Sequence, residues 1–174
     1  MNRVFNIRRA RSADAAALPD IERSAAELFR LDHELAWLAD SDVAPVTQHL
    51  RAIEQMCVWV AATADQQPAG FLRALEIDRQ LHIDELSVSL AFQGQGMGRA
   101  LVSTAIEHAR LSELDAVTLT TFRDLPWNAP FYQRMGFVLL TPEDSTPHLL
   151  EALNGEMTHG FPGERRCAMR LSLL

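Results

Sequence analysis

Leu81–Arg110, LHIDELSVSLAFQGQGMGRALVSTAIEHAR, reads as a strand, a glycine-rich turn and a helix in succession. Leu81, Ile83, Leu86, Val88 and Leu90 give a β-like apolar pattern, while Leu101, Val102, Ala105, Ile106 and Ala109 recur at the spacing of one helical face. Between them lies Gln93-Gly94-Gln95-Gly96-Met97-Gly98. Glycines in such a turn let a ligand approach the backbone with no Cβ in the way. The following helix points its unpaired N–H groups and positive dipole end at the same place. A site of this kind suits an anion, most often phosphate.

Spacing narrows the ligand. A dinucleotide fingerprint is G-x-G-x-x-G, whereas Gly94, Gly96 and Gly98 run G-x-G-x-G, and Asp115 poorly meets the acid required about 20 residues further on. The Gly-Lys-Ser/Thr of a Walker loop is absent. A tight structural connection remains the plain alternative. The longer frame, Glu85-Leu86-Ser87-Val88 through Gln93-x-x-Gly96-x-Gly98, resembles the acetyl-CoA motif of the GNAT superfamily of N-acyltransferases. One departure is Leu90, where that family often has proline. A second segment, Asn128-x-x-x-Tyr132-x-x-x-Gly136-Phe137, resembles the family's other cofactor motif.

The resemblance implies a division of labour. Backbone N–H groups of Gln93, Gly94, Gln95, Gly96, Met97, Gly98 and Arg99 would hold the CoA pyrophosphate, and Leu86, Ser87 and Val88 would pair with pantetheine. The Val88 N–H would polarise the thioester carbonyl. Tyr132 would protonate the leaving thiolate, a role its phenol pKa of about 10 permits. Glu85 is the candidate base, with water alone as the other option. Asn128 is expected either to touch the cofactor or to cap the helix it precedes. His33, Trp37, Glu85 and Glu156 are the substrate candidates, joined by Glu34 and His159 on the same loops. Acetyl-CoA is the implied cosubstrate, and a primary amine, in a small molecule or a peptide, is the acceptor in a ternary complex. The alternative is a non-catalytic acyl-CoA-binding or regulatory module of the same fold.

Composition sets the outer bounds. The 174 residues suit one domain, 1–174, with a sizeable core. A formal charge of −7 argues against general nucleic-acid binding and is compatible with a cationic amine. All 16 basic residues are arginine, so no lysine is available for self-acetylation. No apolar run approaches a membrane span and the start lacks a secretory signal, so the expectation is a cytoplasmic protein with no membrane partner. Homodimers are frequent in the family by analogy. Cys57 and Cys167 lie in apolar strand-like text and read as buried reduced thiols; the histidines show no metal-ligand spacing, and no metal is expected.

Along the chain, Val4–Arg9 alternates as a first strand, and Ser12 and Asp14 introduce a helix to about Phe29 with Ala17, Ile21, Ala25 and Leu28 on its face. Arg30–Val46 is a loop or broken helix before a second helix ending at Met56. Cys57–Thr63 and Ala69–Ile77 flank Asp65-Gln66-Gln67-Pro68 as an antiparallel hairpin. In the opening strand the apolar phase changes between Ile83 and Leu86, which implies burial on both faces or a β-bulge; the resemblance favours the bulge. Ala116–Thr121 is a strand, Asn128 opens a short helix that Gly136 ends, Phe137–Leu140 and Glu164–Leu173 are the last strands, and a short helix fits His148–Met157. The fold class is therefore α/β (α+β): a mixed, mostly antiparallel sheet of about seven strands, splayed between the fourth and fifth, flanked by about four helices.

Overall fold

A computed structural model describes residues 4–174. Its strands are β1 (Phe5–Arg9), β2 (Cys57–Thr63), β3 (Pro68–Ile77), β4 (Gln80–Val88), β5 (Ala116–Phe122), β6 (Val138–Leu140) and β7 (Arg166–Ser172). The α-helices are α1 (Leu18–Ala26), α2 (Val46–Gln55), α3 (Met97–Leu111), α4 (Ala129–Gln133) and α5 (Pro147–Thr158). The strands follow the order β1-β2-β3-β4-β5-β7-β6 in one seven-stranded sheet. Only β4 and β5 are parallel among the pairings described here, from Gln80↔Ala116 to Ile83↔Leu119; β4 then continues to Val88 and β5 to Phe122. The expected mixed sheet is observed, with five α-helices among the described residues where about four were expected, because Pro147–Thr158 is a helix of three turns.

The described residues fall into two compact units. One holds the chain up to Ala74 with Glu85–Ala105, the other Leu75–Asp84 with Ile106–Leu174. In the first, the β2–β3 hairpin pairs Cys57↔Ala74 through Ala61↔Gly70, and β1 adds to its outer edge from Phe5↔Thr63 to Arg9↔Trp59. Leu18 and Ile21 of α1 pack with Val60 and Phe71 as a buried cluster, with Ile53 of α2 against it. That corrects the expected helix face. Ala17, Ala25 and Leu28 are only half-buried, since 3-10 turns at Ser12–Ala17 and Glu27–Leu31 shift the phase on both sides of the nine-residue α-helix. Pro19 sits in the first turn of α1, where its missing N–H costs nothing. Asp14 accepts the Arg11 N–H at 2.7 Å and pairs with Arg8 at 2.8 Å.

In the second unit, β5 is sandwiched between β4 and β7 and buried on both faces. Val117 and Leu119 occupy one face as expected. Thr118 and Thr120 face the other, which α5 covers rather than solvent. The same burial explains β4: Gln80, Leu81, His82 and Ile83 are all buried, so the first half of the strand realises the both-faces reading of its apolar phase. Cys167 is buried, and burial pushes its thiol pKa up. Cys57 is only half-buried, contrary to expectation, because it opens its strand next to the exit of α2.

Candidate active site

The glycine turn lies in the first unit. After Val88 the chain makes a 3-10 turn at Leu90–Phe92, passes through Gln93–Gly96 and enters α3 at Met97. Gly94 and Gly96 have φ of +74° and +87°, the left-handed region where a Cβ is penalised. A Cβ at either would meet nothing within 4 Å, so backbone angle rather than crowding calls for glycine. Gln93 Nε2 donates to Val88 O at 3.0 Å, folding the turn back on the end of β4. The bond Ala100 N→Gly96 O at 3.0 Å sets the helical ladder of α3. Met97, Gly98 and Arg99 then form the opening turn, where no i−4 carbonyl within the helix serves their N–H groups. Exposed Gly94 and Gly96 thus lead into the positive end of a helix of 15 residues, a combination whose chemistry suits an anion.

Leading into the turn, Leu86 and Val88 are half-buried and Ser87 is buried. Ser87 Oγ donates to Glu85 Oε1 at 2.8 Å, the same-face contact of residues two apart on a strand. Asp84 is exposed. Two residues beyond the sequence reading also shape this end. A Cβ on Gly70 of β3 would come to 3.1 Å from Ser87 O and 3.2 Å from Val88 Cγ2, so glycine there permits a close approach; an isolated glycine inside a strand pattern was the signal. Ser24 of α1 accepts the Leu90 N–H at 2.9 Å, a contact with no local signature.

Asn128 and Tyr132 lie in the second unit. Tyr132 is buried on α4 with its ring edge-on to Phe131 and Phe137 at centroid distances of 5.0 and 5.6 Å. Its N–H donates to Asn128 O at 3.2 Å. Asn128 occupies the N-cap position, but its side chain makes no capping bond. Gly136, at φ +97°, ends the turn, and the Phe137 N–H returns to Tyr132 O at 3.1 Å.

The substrate candidates divide. His33 and Trp37 are exposed in the first unit, Trp37 in a 3-10 turn at Ala36–Asp40. Glu34 is exposed beside them, its N–H on Asp32 Oδ1 at 3.1 Å. In the second unit, His159 Nδ1 meets Gly155 O at 2.7 Å. Glu156 is engaged inside the protein: Arg166 donates to its two oxygens at 2.9 Å each, Thr120 Oγ1 bonds it, and the Arg166 guanidinium lies 4.4 Å from the Phe122 ring centroid and 5.0 Å from that of Phe161. That carboxylate's charge is balanced within the fold. Next to it sits a residue the sequence reading passed over. His82 Nδ1 is 3.1 Å from Thr118 Oγ1, which is 3.4 Å from His148 Nε2, whose Nδ1 is 3.0 Å from Thr146 Oγ1. Burial and the neighbouring His148 push the His82 pKa down to about 4, against the opposing pull of Asp84 and Glu156.

Comparison with known proteins bears on the family and the fold. The model of the acetyltransferase (GNAT) family matches residues 22–137. N-acetyltransferase family 8 member 3 of Rattus norvegicus is 32% identical over 103 residues, 56% of this chain and 45% of that protein. The match thus spans about half the length of that relative. Among solved structures, the paia N-acetyltransferase of Thermoplasma acidophilum in complex with coenzyme A superposes with a TM-score of 0.69 at 15% identity, over 97% of this chain and 98% of that one. Ard1 of Thermoplasma volcanium gives 0.69 at 17% identity, over 98% and 99%. At such identities the likeness is one of fold. No helix among the described residues is long and apolar enough to cross a membrane.

Proposed function

Because the chain belongs to the acetyltransferase (GNAT) family, we propose that it moves an acetyl group from acetyl-CoA to a primary amine by direct attack in a ternary complex. The observation that carries this reading is the turn after β4. Gly94 and Gly96 hold left-handed backbone in the open, and the turn delivers the chain into the N-terminus of α3, a seat for the pyrophosphate. Acetyl transfer further needs a polarised carbonyl, a neutral amine and a protonated leaving thiolate. In this reading the Val88 N–H serves the thioester carbonyl, where one such donor is worth about 10²-fold or more in rate. Glu85, alone or through water, takes the amine's proton, with Ser87 orienting its carboxylate. Tyr132 gives a proton or hydrogen bond to the thiolate. The acceptor is a small-molecule or peptide amine, and His33 and Trp37 are the exposed side chains offered to it; Glu156, already paired with Arg166, is not offered.

The test has two parts. Isothermal titration with acetyl-CoA is expected to give saturable binding, and absence of binding at millimolar ligand would sink the cosubstrate assignment. CoA release is then followed over a panel of amines, peptides and aminoglycosides for the wild type and Tyr132→Phe. The variant is expected to bind acetyl-CoA and to turn over at least tenfold more slowly; full turnover with an unchanged pH profile removes Tyr132 from the acid role.

A further inference from the structure

We propose that Ser24 is a positioning residue for the acyl-donor end of β4, holding the backbone that follows Val88 through the N–H that leucine, unlike proline, leaves at position 90. The proposal rests on the acyl-transfer reading above and adds to it a residue from a helix that carries none of the recognised motifs.

The backbone from Val88 to Leu90 is fixed at three consecutive groups. Val88 O accepts from Gln93 Nε2 at 3.0 Å, the Ser89 N–H donates to Ala69 O of β3 at 2.9 Å, and the Leu90 N–H donates to Ser24 Oγ at 2.9 Å. The first tie is local to the turn and the second is an extension of the β3 pairing. The third comes from α1, 66 residues away. Without it Leu90 would present an N–H in the opening turn of a 3-10 helix, a position that has no acceptor of its own.

The backbone at position 90 accommodates either proline or a residue with an N–H. Ser89 sits at φ −53° and ψ 139°, the extended conformation favoured before proline, and Leu90 is the first residue of the 3-10 turn, where proline's fixed φ and missing N–H are tolerated. Proline would therefore fit, as in the motif this chain otherwise matches, and it would leave Ser24 nothing to accept. Leucine at 90 and serine at 24 form a matched pair. The pair also joins α1, which leads into the His33–Trp37 segment, to the strand whose Val88 N–H addresses the thioester. The consequence is specific to the reacting end. Loss of the bond should loosen the aim of Val88 while leaving the pyrophosphate seat at Gln93–Arg99 intact.

The experiment compares Ser24→Ala, Ser24→Thr, Leu90→Pro and the Ser24→Ala/Leu90→Pro double variant. A hydrogen bond of ordinary strength corresponds to about three- to tenfold in rate. Ser24→Ala is expected to lower kcat by that factor at saturating acetyl-CoA, with the affinity for CoA changed less than twofold by titration calorimetry; Ser24→Thr restores kcat. Leu90→Pro loses a similar factor, and the double variant is no worse than either single, because both remove one bond. Losses that multiply in the double variant, or a Ser24→Ala enzyme with wild-type kcat, overturn the proposal. Amide exchange supplies a readout independent of turnover: the Leu90 N–H is expected to exchange faster in Ser24→Ala, and an unchanged rate overturns the proposal whatever the activity. Failure of the wild type to bind acetyl-CoA would instead strike the acyl-transfer reading, so the two failures are told apart.

Discussion

The turn after β4 and the sheet face beneath α5 solve opposite problems. At Gln93–Gly96 the groups that the proposed function uses belong to the backbone; the glycines are exposed and the Gln93 side chain folds the loop onto Val88. Beneath α5 the chemistry belongs to side chains, buried at Arg166, Thr118 and His82 and half-buried at Glu156, Thr120 and His148, arranged so that each polar group meets another. The difference teaches where each region is vulnerable. An exposed backbone seat tolerates most changes of side chain but few changes of φ, whereas a buried polar face fails when one partner is removed and the other is left uncompensated.

The largest effect is therefore expected beneath α5. The Arg166 side chain is 8% exposed and that of Glu156 20%, so Glu156→Ala leaves a guanidinium largely buried without its counter-charge. Removing one partner of a buried pair costs about 3–5 kcal/mol, and the residual exposure of Glu156 places the expected loss at about 3. Urea unfolding with an unchanged slope measures it. Acetyl-CoA affinity should hold within twofold. A loss under about 1 kcal/mol would mean that the pair is incidental and that apolar contacts of α5 hold this face.

Acid should find the same region next. The His82 pKa of about 4 lies below the ordinary 6.5, so between those values the unfolded chain binds the proton that the folded one refuses. Stability from this group is present above about pH 6.5 and is lost as pH falls toward 4. The shift corresponds to up to about 3 kcal/mol, an upper bound. His148, whose pKa burial also lowers, and His49, lowered by burial and by Arg73, act in the same direction. Unfolding curves at stepped pH for the wild type and His82→Gln should diverge at neutral pH and converge toward pH 4. Parallel curves would show that His82 carries its proton inside the fold.

Much of the first region is legible in the sequence. Gly94 and Gly96 announce a turn because φ is a local property and glycine meets a positive value at least cost, and the hairpin and α3 follow from local periodicity. What escaped was pairing at a distance. Glu156 offers a negative charge on paper, yet Arg166, ten residues on at the start of β7, consumes it once α5 folds over the strand. Ser24 and Leu90 look unrelated until the chain brings them to 2.9 Å. His82 sat inside an apolar strand pattern as an apparent interruption, and only the burial of both strand faces reveals that Thr118 and His148 receive it. The shift of the α1 face has a similar origin: 3-10 turns change the period from 3.6 to 3, and no single residue marks the change.

The smallest expected effect falls on the exposed turn and tests whether it is conformation or space that glycine supplies. Since a Cβ at Gly96 would meet nothing within 4 Å, Gly96→Ala is charged only for holding φ at +87°, about 1 kcal/mol. Asparagine enters the left-handed region more readily than alanine, so Gly96→Asn should recover part of that loss despite its larger side chain. Thermal or urea unfolding of the two variants decides the order. If asparagine proves worse than alanine, bulk rather than backbone angle governs the site, and the turn resembles the tightly packed face beneath α5 more than its exposure suggests. If alanine is worse, as expected, the seat is set by φ at single residues, which is why it can be open to solvent and still hold its shape.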